Sequence, residues 1–227
     1  MSTALITGAS RGLGVVAARR LAAQGWTVLA GCREPSSFVV PEGLDIRPVA
    51  LDVTDDASVE AAVKEVEDAV GGIDVLVNNA AMVGGTVTPA DTGVEDLREA
   101  YETNVFGPVR VTRAFLPLLR RAERPRLVMV SSSLGSLTEM TTGRWGNHPH
   151  LAYPSTKAAL NMISVGYAQS LPDVLVTVVN PGYTATDLND HQGTQTVEEG
   201  TDAIVAAALD TAGPSGRFLD RHGAVAW

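Results

Sequence analysis

Tyr153 and Lys157 stand four residues apart in the stretch Leu151-Ala-Tyr-Pro-Ser-Thr-Lys-Ala-Ala-Leu160, and the chain has only one other lysine, Lys64. On a helix, positions i and i+4 share a face, so these two side chains project side by side. A free tyrosine ionises near pH ~10 and is a poor acid–base group at neutrality. A neighbouring ammonium favours the phenolate and brings the pair into a useful range for general acid–base chemistry. Pro154 is compatible with a helix that has only just begun, because first-turn N–H groups have no intrahelical partner. An unrelated tyrosine and lysine on a surface helix would show the same spacing, so the pair takes its meaning from its surroundings.

Two neighbouring segments supply that context. Val130-Ser-Ser-Ser-Leu-Gly135 closes an apolar run. In open α/β sheets, ligands bind beyond the carboxyl ends of strands, where a serine can hydrogen-bond a carbonyl or an alcohol. Thr7-Gly-Ala-Ser-Arg-Gly-Leu-Gly14 joins a strand-like run to a helical pattern. Gly8, Gly12 and Gly14 allow a tight turn and close approach of backbone to ligand. The helix start that follows offers unpaired N–H groups to a pyrophosphate, with Ser10, Arg11 and Leu13 in the same loop.

The elements that must position these residues are legible as alternating patterns. Strands are predicted over residues 3–7, 27–31, 46–51, 73–78, 126–131 and 175–180, with a short one near 217–219. Helices are predicted near 12–24, 55–70, 94–121, 151–170 and 196–209, with Asp55 and Thr196 as N-caps. Strands rich in Val, Ile and Leu without polar alternation read as buried on both faces. The result is an α/β chain: a single doubly wound, Rossmann-type parallel sheet of about seven strands with helices on both faces. Residues 34–45 read as loop where a crossover helix would be expected. No linker or repeat divides the chain, so residues 1–227 are expected to form one domain.

Composition narrows the function. The chain has 227 residues, 45% of them hydrophobic and 19% charged, which fits a globular protein with a sizeable core. Its net charge of −9 argues against nucleic acid or an anionic membrane as partner. Cys32 is the one cysteine, which rules out an intrachain disulfide and a cysteine metal cluster. His148 and His150 flank Pro149 in what reads as an exposed loop rather than a metal site. No apolar run reaches the ~20 residues of a membrane helix, and no leader is apparent, so a cytoplasmic location is expected.

The glycine spacing, Gly8, Gly12 and Gly14, resembles that of the short-chain dehydrogenases/reductases, and the resemblance extends from residue 3 to about residue 220. Asp52-Val53 resembles the family's adenine contact. Asn78-Asn-Ala-Ala81 resembles its Asn-Asn-Ala-Gly motif, with Ala81 in place of the last glycine, and so implies cofactor contact at Asn79 and Ala80. Pro181-Gly-Tyr-Thr-Ala-Thr186 resembles the segment that holds the nicotinamide carboxamide, through Pro181, Gly182, Thr184 and Thr186. The family's Ser-Ser-x-x-Gly pattern gives Ser132 the substrate-binding role, with Ser133 as runner-up. Asn104 resembles the asparagine that holds a water in a proton relay from the lysine; the alternative is an asparagine that only satisfies backbone groups. Tyr153 and Lys157 are then both catalytic and cofactor-binding.

The resemblance implies an NADP(H)-dependent reductase of carbonyl reductase type, acting on a small-molecule ketone or aldehyde, or on the alcohol in reverse. It also implies a homodimer or homotetramer through the long helices at 94–121 and 151–170. NAD-preferring sheets place an acidic residue at the end of the second strand. Here Cys32 stands at that place and Arg33 follows, and a guanidinium suits a 2′-phosphate that a carboxylate would repel. Arg11 can reach the same phosphate, while Glu34 could pair with Arg33. Residues 135–150, including Met140, Trp145 and His148, and residues 186–194 with Tyr183 are expected to border a partly apolar substrate cleft. An NAD-dependent alcohol dehydrogenase, an epimerase or dehydratase, and a non-catalytic dinucleotide sensor remain as alternatives.

Overall fold

The computed structural model describes residues 2–85, 87–143 and 150–227. The apolar runs form β1 (Thr3–Thr7), β2 (Thr27–Cys32), β3 (Ile46–Ala50), β4 (Val75–Asn78), β5 (Arg126–Val130), β6 (Leu175–Val179) and β7 (Arg217–Asp220). Among the described residues there is one further strand, β8 (Gly223–Ala224), which brings the sheet to eight in the order β3-β2-β1-β4-β5-β6-β7-β8. Every pairing from β3 to β7 is parallel, and only β7 with β8 is antiparallel. A two-residue Gly-Ala strand has no apolar run to announce it. It exists because Asp220 Oδ1 accepts the N–H groups of His222 and Gly223 and closes a tight turn.

The strands are buried on both faces because helices cover both. Leu5, Leu29, Leu76, Leu127 and Val176 pack with Val59, Ala62 and Val66 of α2 (Asp56–Val70) and with Phe115 and Leu118 of α4 (Gly107–Leu119). On the other face Ala4, Ile6, Val28, Val77 and Val128 pack with Ala17, Ala18 and Leu21 of α1 (Gly12–Ala22) and with Ile204 and Ala208 of α8 (Asp202–Leu209). Full burial of a side chain such as Phe115 contributes roughly 1.5–3 kcal/mol. Asp55 caps α2, its Oδ1 accepting the Ala57 N–H at 2.9 Å.

Several helical expectations are corrected. The stretch 94–121 is α3 (Val94–Tyr101), a π turn (Glu102–Phe106) and then α4. Pro108 explains the break: it has no N–H, and its ring would clash with the carbonyl of Asn104 four residues earlier. The wider turn absorbs that conflict, with the Gly107 N–H reaching the Glu102 carbonyl. The stretch 196–209 is α7 (Val197–Gly200), capped by Thr196, followed by α8. Within the expected loop 135–150, α5 (Leu137–Thr141) forms because the Ser136 hydroxyl caps the Glu139 N–H. Helix α6 (Ala152–Ser170) places Pro154 in its first turn, where a proline is tolerated. Residues 34–45 hold only a single 3-10 turn, Pro35–Ser37.

Candidate active site

Strand β1 is flanked by β2 and β4, so the chain changes direction in the sheet there and leaves a crevice beyond the strand ends. A cleft of about 1090 Å³ opens at this place. That is at or above the ~300–1,000 Å³ usual for small-molecule sites, enough for a cofactor together with a substrate. Of the residues singled out in the sequence, Ser10, Arg11, Gly12, Leu13, Arg33, Asp52, Val53, Ala80, Ser132, Tyr153, Lys157, Pro181, Gly182 and Thr186 all line it, as do Gly8, Asn79 and Thr184. Gly14 and Asn104 do not, and stand behind its wall.

The glycine loop is packed too closely against its neighbours to hold side chains at Gly8 and Gly14. Gly8 has φ +63, and a Cβ there would lie 2.8 Å from Ala80 Cα. A Cβ on Gly14 would run into the Gly8 carbonyl and lie 2.7 Å from Asn79 Nδ2. Asn79 donates that amide to the carbonyls of Thr7 and Gly8 at 2.8 and 3.2 Å, and Thr7 Oγ1 accepts the N–H groups of Asn79 and Ala80. The asparagine motif therefore stitches the β4 loop to the glycine loop, a role the sequence reading did not give it. No side chain caps α1 at its N-cap residue, Arg11, which leaves first-turn N–H groups for a ligand. Glycine loop and uncapped helix start together fit a dinucleotide pyrophosphate.

Around the Arg33 end of the cleft, Asp52 Oδ1 accepts from the Thr54 N–H and hydroxyl. Burial acts to raise this carboxyl, but those hydrogen bonds, with Arg33 and Arg110 nearby, hold it below the usual aspartate value. Arg110 was not anticipated. It donates to the Val53 carbonyl at 2.7 Å and pairs with Asp56 and Glu102, so it fixes the Asp52–Val53 turn. Among the described residues no ion pair joins Arg33 to Glu34. Arg11 lies 3.6 Å from Asp187, both side chains being well exposed, and such pairs contribute little.

At the other end the acid–base residues converge. Ser132 stands two residues beyond β5 in extended conformation, and its Oγ accepts the Leu134 N–H at 3.2 Å. It also lies by the Tyr153 hydroxyl, whose pKa it pulls down. Ser133 instead is buried, with its N–H on Asn180 Oδ1. Tyr153 is half-buried on the cleft wall, and burial of its hydroxyl pushes the pKa up to about 12, against the opposing pull of Ser132. Lys157 is buried beneath it, 5.4 Å from the ring centroid, and burial lowers the ammonium to about 8. Burial is the largest influence on both groups, and it opposes the lowering of the tyrosine pKa expected from Lys157. Among the described residues, the Val130 carbonyl at 2.9 Å is the one acceptor for the three lysine N–H donors. A buried ammonium with two donors left over fits a ligand rich in hydroxyls.

Asn104, fully buried in the π turn, has its side-chain amide occupied. Its Oδ1 accepts the Met82 N–H, and its Nδ2 donates to the Met82 carbonyl and to Thr156 Oγ1. The segment Pro181–Thr186 lies against the glycine loop, Thr186 coming 3.6 Å from where a Gly12 Cβ would stand. Leu134, His150, Tyr183, Leu188 and Gln192 complete the cleft beyond Ser132 and Tyr153. Trp145 and His148 lie outside the described residues, and Met140 sits on α5 away from the lining.

A family model described as short chain dehydrogenase matches residues 2–196. The chain belongs to the short-chain dehydrogenase family. A short-chain dehydrogenase, anuI, of Penicillium roqueforti is 36% identical over 91% of this chain and 88% of its own. The (+)-neomenthol dehydrogenase of Arabidopsis thaliana is 31% identical over 96% and 95%. An NADPH-bound carbonyl reductase from chicken fatty liver superposes with a TM-score of 0.86 at 27% identity, covering 100% of this chain and 99% of that one. The protein is thus an oxidoreductase of this family acting on small molecules, built on the family's mostly parallel sheet. No helix among the described residues is long and apolar enough to cross a membrane.

Proposed function

We propose that the protein is an NADPH-dependent reductase that converts a ketone or aldehyde of a small to medium-sized, partly apolar substrate to an alcohol. The observation that carries this reading is that Ser132, Tyr153 and buried Lys157, 5.4 Å from the tyrosine ring, line the same cleft as the glycine loop. When bound, the cofactor supplies the hydride.

The residues of the chain do the rest. Tyr153 is protonated at neutral pH and donates to the substrate oxygen as negative charge develops there, with the Lys157 ammonium beside the phenolate that is left. Ser132 accepts from Leu134, which leaves its own O–H to hydrogen-bond that oxygen. Lys157 directs its remaining donors to ribose hydroxyls. With the Asn104 side-chain amide occupied, a relay water would be held through the residue's backbone carbonyl, whose α-type donor position is taken by Pro108. Gly8, Ser10, Arg11, Gly12, Leu13 and Gly14 form the pyrophosphate cradle, Asp52 and Val53 border the adenine, and Asn79 and Ala80 back the ribose. Pro181, Gly182, Thr184 and Thr186 border the nicotinamide.

NADPH is preferred to NADH because buried Cys32 ends β2 where a carboxylate would be needed, and Arg33 follows at the cleft edge. Arg11, held only by an exposed pair with Asp187, can turn to the same 2′-phosphate. The carbonyl reductase neighbour was solved with NADPH, which supports the choice. Exposed Phe106 and Met162 on the π turn and α6 support association into a homodimer or homotetramer. The chain is read as one domain, acting in the cytoplasm. The test is kcat/KM for ketone reduction with NADPH and with NADH. Loss of hydrogen bonds to a charged group, about 1.5–3 kcal/mol, predicts that Arg33→Ala raises KM for NADPH about tenfold or more and leaves that for NADH nearly unchanged. Equal or better use of NADH by the unmodified protein would contradict the cofactor assignment.

A further inference from the structure

Tyr153, Lys157 and Asn161 occupy positions i, i+4 and i+8 of α6, one stripe along a single helix face. Asn161 is buried, yet neither the tyrosine–lysine spacing nor the cleft lining explains it. Its Oδ1 accepts the Ser131 hydroxyl at 2.6 Å, and its Nδ2 donates to the Gly135 carbonyl at 3.1 Å. These two partners are the two ends of the arc 131–135, and Ser132 lies between them. The arc is pressed on α6 at the same place: a Cβ on Gly135 would stand 2.5 Å from the Lys157 carbonyl carbon. Ser131 Oγ also comes 3.4 Å from the Lys157 carbonyl oxygen.

We infer that Asn161 is a positioning residue, a two-point clamp that sets Ser132 against Tyr153. The inference rests on the reading of Ser132 and Tyr153 given above. The Ser131 N–H on the Val179 carbonyl and the Ser133 N–H on Asn180 Oδ1 tie the arc to β6 and the residue after it, and Asn161 adds the two bonds that tie its ends to α6. Within its own arc the Ser132 hydroxyl accepts the Leu134 N–H, so how it meets the Tyr153 hydroxyl depends on how the arc is held on α6. A displacement of around 1 Å at such a site can reduce turnover by up to ~10²-fold.

The test is a double-mutant cycle between Asn161→Leu and Ser132→Ala, with Ser131→Ala as a milder variant that removes one clamp point. Melting curves and NADPH affinity are measured alongside. Ser132→Ala alone should lower kcat/KM about 10²-fold, as for loss of a transition-state donor, and Ser133→Ala much less. Asn161→Leu should lower kcat about tenfold, Ser131→Ala by less, with NADPH affinity within about threefold of the parent. In the double variant Asn161→Leu should add almost nothing to Ser132→Ala, because the group it positions is gone. Multiplying losses in the double variant, or unchanged kcat in both clamp variants, would overturn the clamp while leaving the Ser132 reading intact. Full activity of Ser132→Ala would overturn that reading and the clamp with it. If Asn161→Leu does not fold, Ser131→Ala carries the same cycle with the same two outcomes.

Discussion

The protonation of Tyr153 and Lys157 sets how the site responds to pH. Burial raises the tyrosine to about 12 and lowers the lysine to about 8, so on raising the pH the lysine titrates first. Below about 8 the free protein holds a neutral tyrosine over an ammonium, the state an acid catalyst of reduction requires. The kcat/KM profile reports groups of the free enzyme. For reduction it should be level through neutrality and fall above about pH 8, where Lys157 loses its charge, while the reverse oxidation should gain as Tyr153 approaches its phenolate. A reduction profile that climbs from neutrality to about pH 9 would contradict this ordering. The four-residue spacing made the pair legible, because helical periodicity needs no tertiary information. The sign of the tyrosine shift was not legible, since it depends on burial that no local pattern encodes. Ser132 was separable from Ser133 by the register on Gly135, and the structure adds that Ser133 faces inward to Asn180.

At the scale of elements, contact between the serine arc and α6 sets the site. Gly135 is where they touch: a Cβ there would lie 2.5 Å from the Lys157 carbonyl carbon and 2.8 Å from the Ala158 nitrogen, both rigid backbone. Gly135→Ala must therefore push the arc off the helix. The expected loss is roughly 1–3 kcal/mol of stability, as for overpacking, with a fall in kcat as Ser132 moves. Urea unfolding and kcat measured on the same variant check this, and an unaffected midpoint with full kcat would show that the contact is slack. The strands and the first-turn placement of Pro154 could be read from composition because apolar runs and proline chemistry act locally. The π turn could not be, although Pro108 was its signal, because an amphipathic pattern continues across it. Asn161 was equally visible, one turn beyond Lys157, but a buried asparagine inside a helix announces its partners only when the fold supplies them. The same holds for Arg110, whose partners lie on α2, the Val53 turn and the π turn.

For the whole molecule, the change of direction between β2, β1 and β4 brings together the ends of strands that are far apart in the chain. The glycine loop follows β1, the Arg33 segment β2, the Asp52–Val53 turn β3, the asparagine motif β4, the serine arc β5 and the Pro181–Thr186 segment β6. A single cleft therefore holds both the cradle and the acid–base pair, as coupled cofactor and substrate chemistry requires. The same architecture also serves epimerases, which return the cofactor unchanged, and sensors, which do not turn over. Net cofactor consumption separates a reductase from both. The deciding measurement is NADPH oxidation over a panel of apolar and aromatic ketones and aldehydes, with alcohol quantified, for the unmodified protein and for Tyr153→Phe. Stoichiometric conversion of NADPH and carbonyl to alcohol by the unmodified protein is predicted, together with a loss of about 10²-fold or more in Tyr153→Phe while NADPH still binds. Binding of NADPH without net oxidation across the panel, or a Tyr153→Phe variant that retains most of its kcat, would contradict the account.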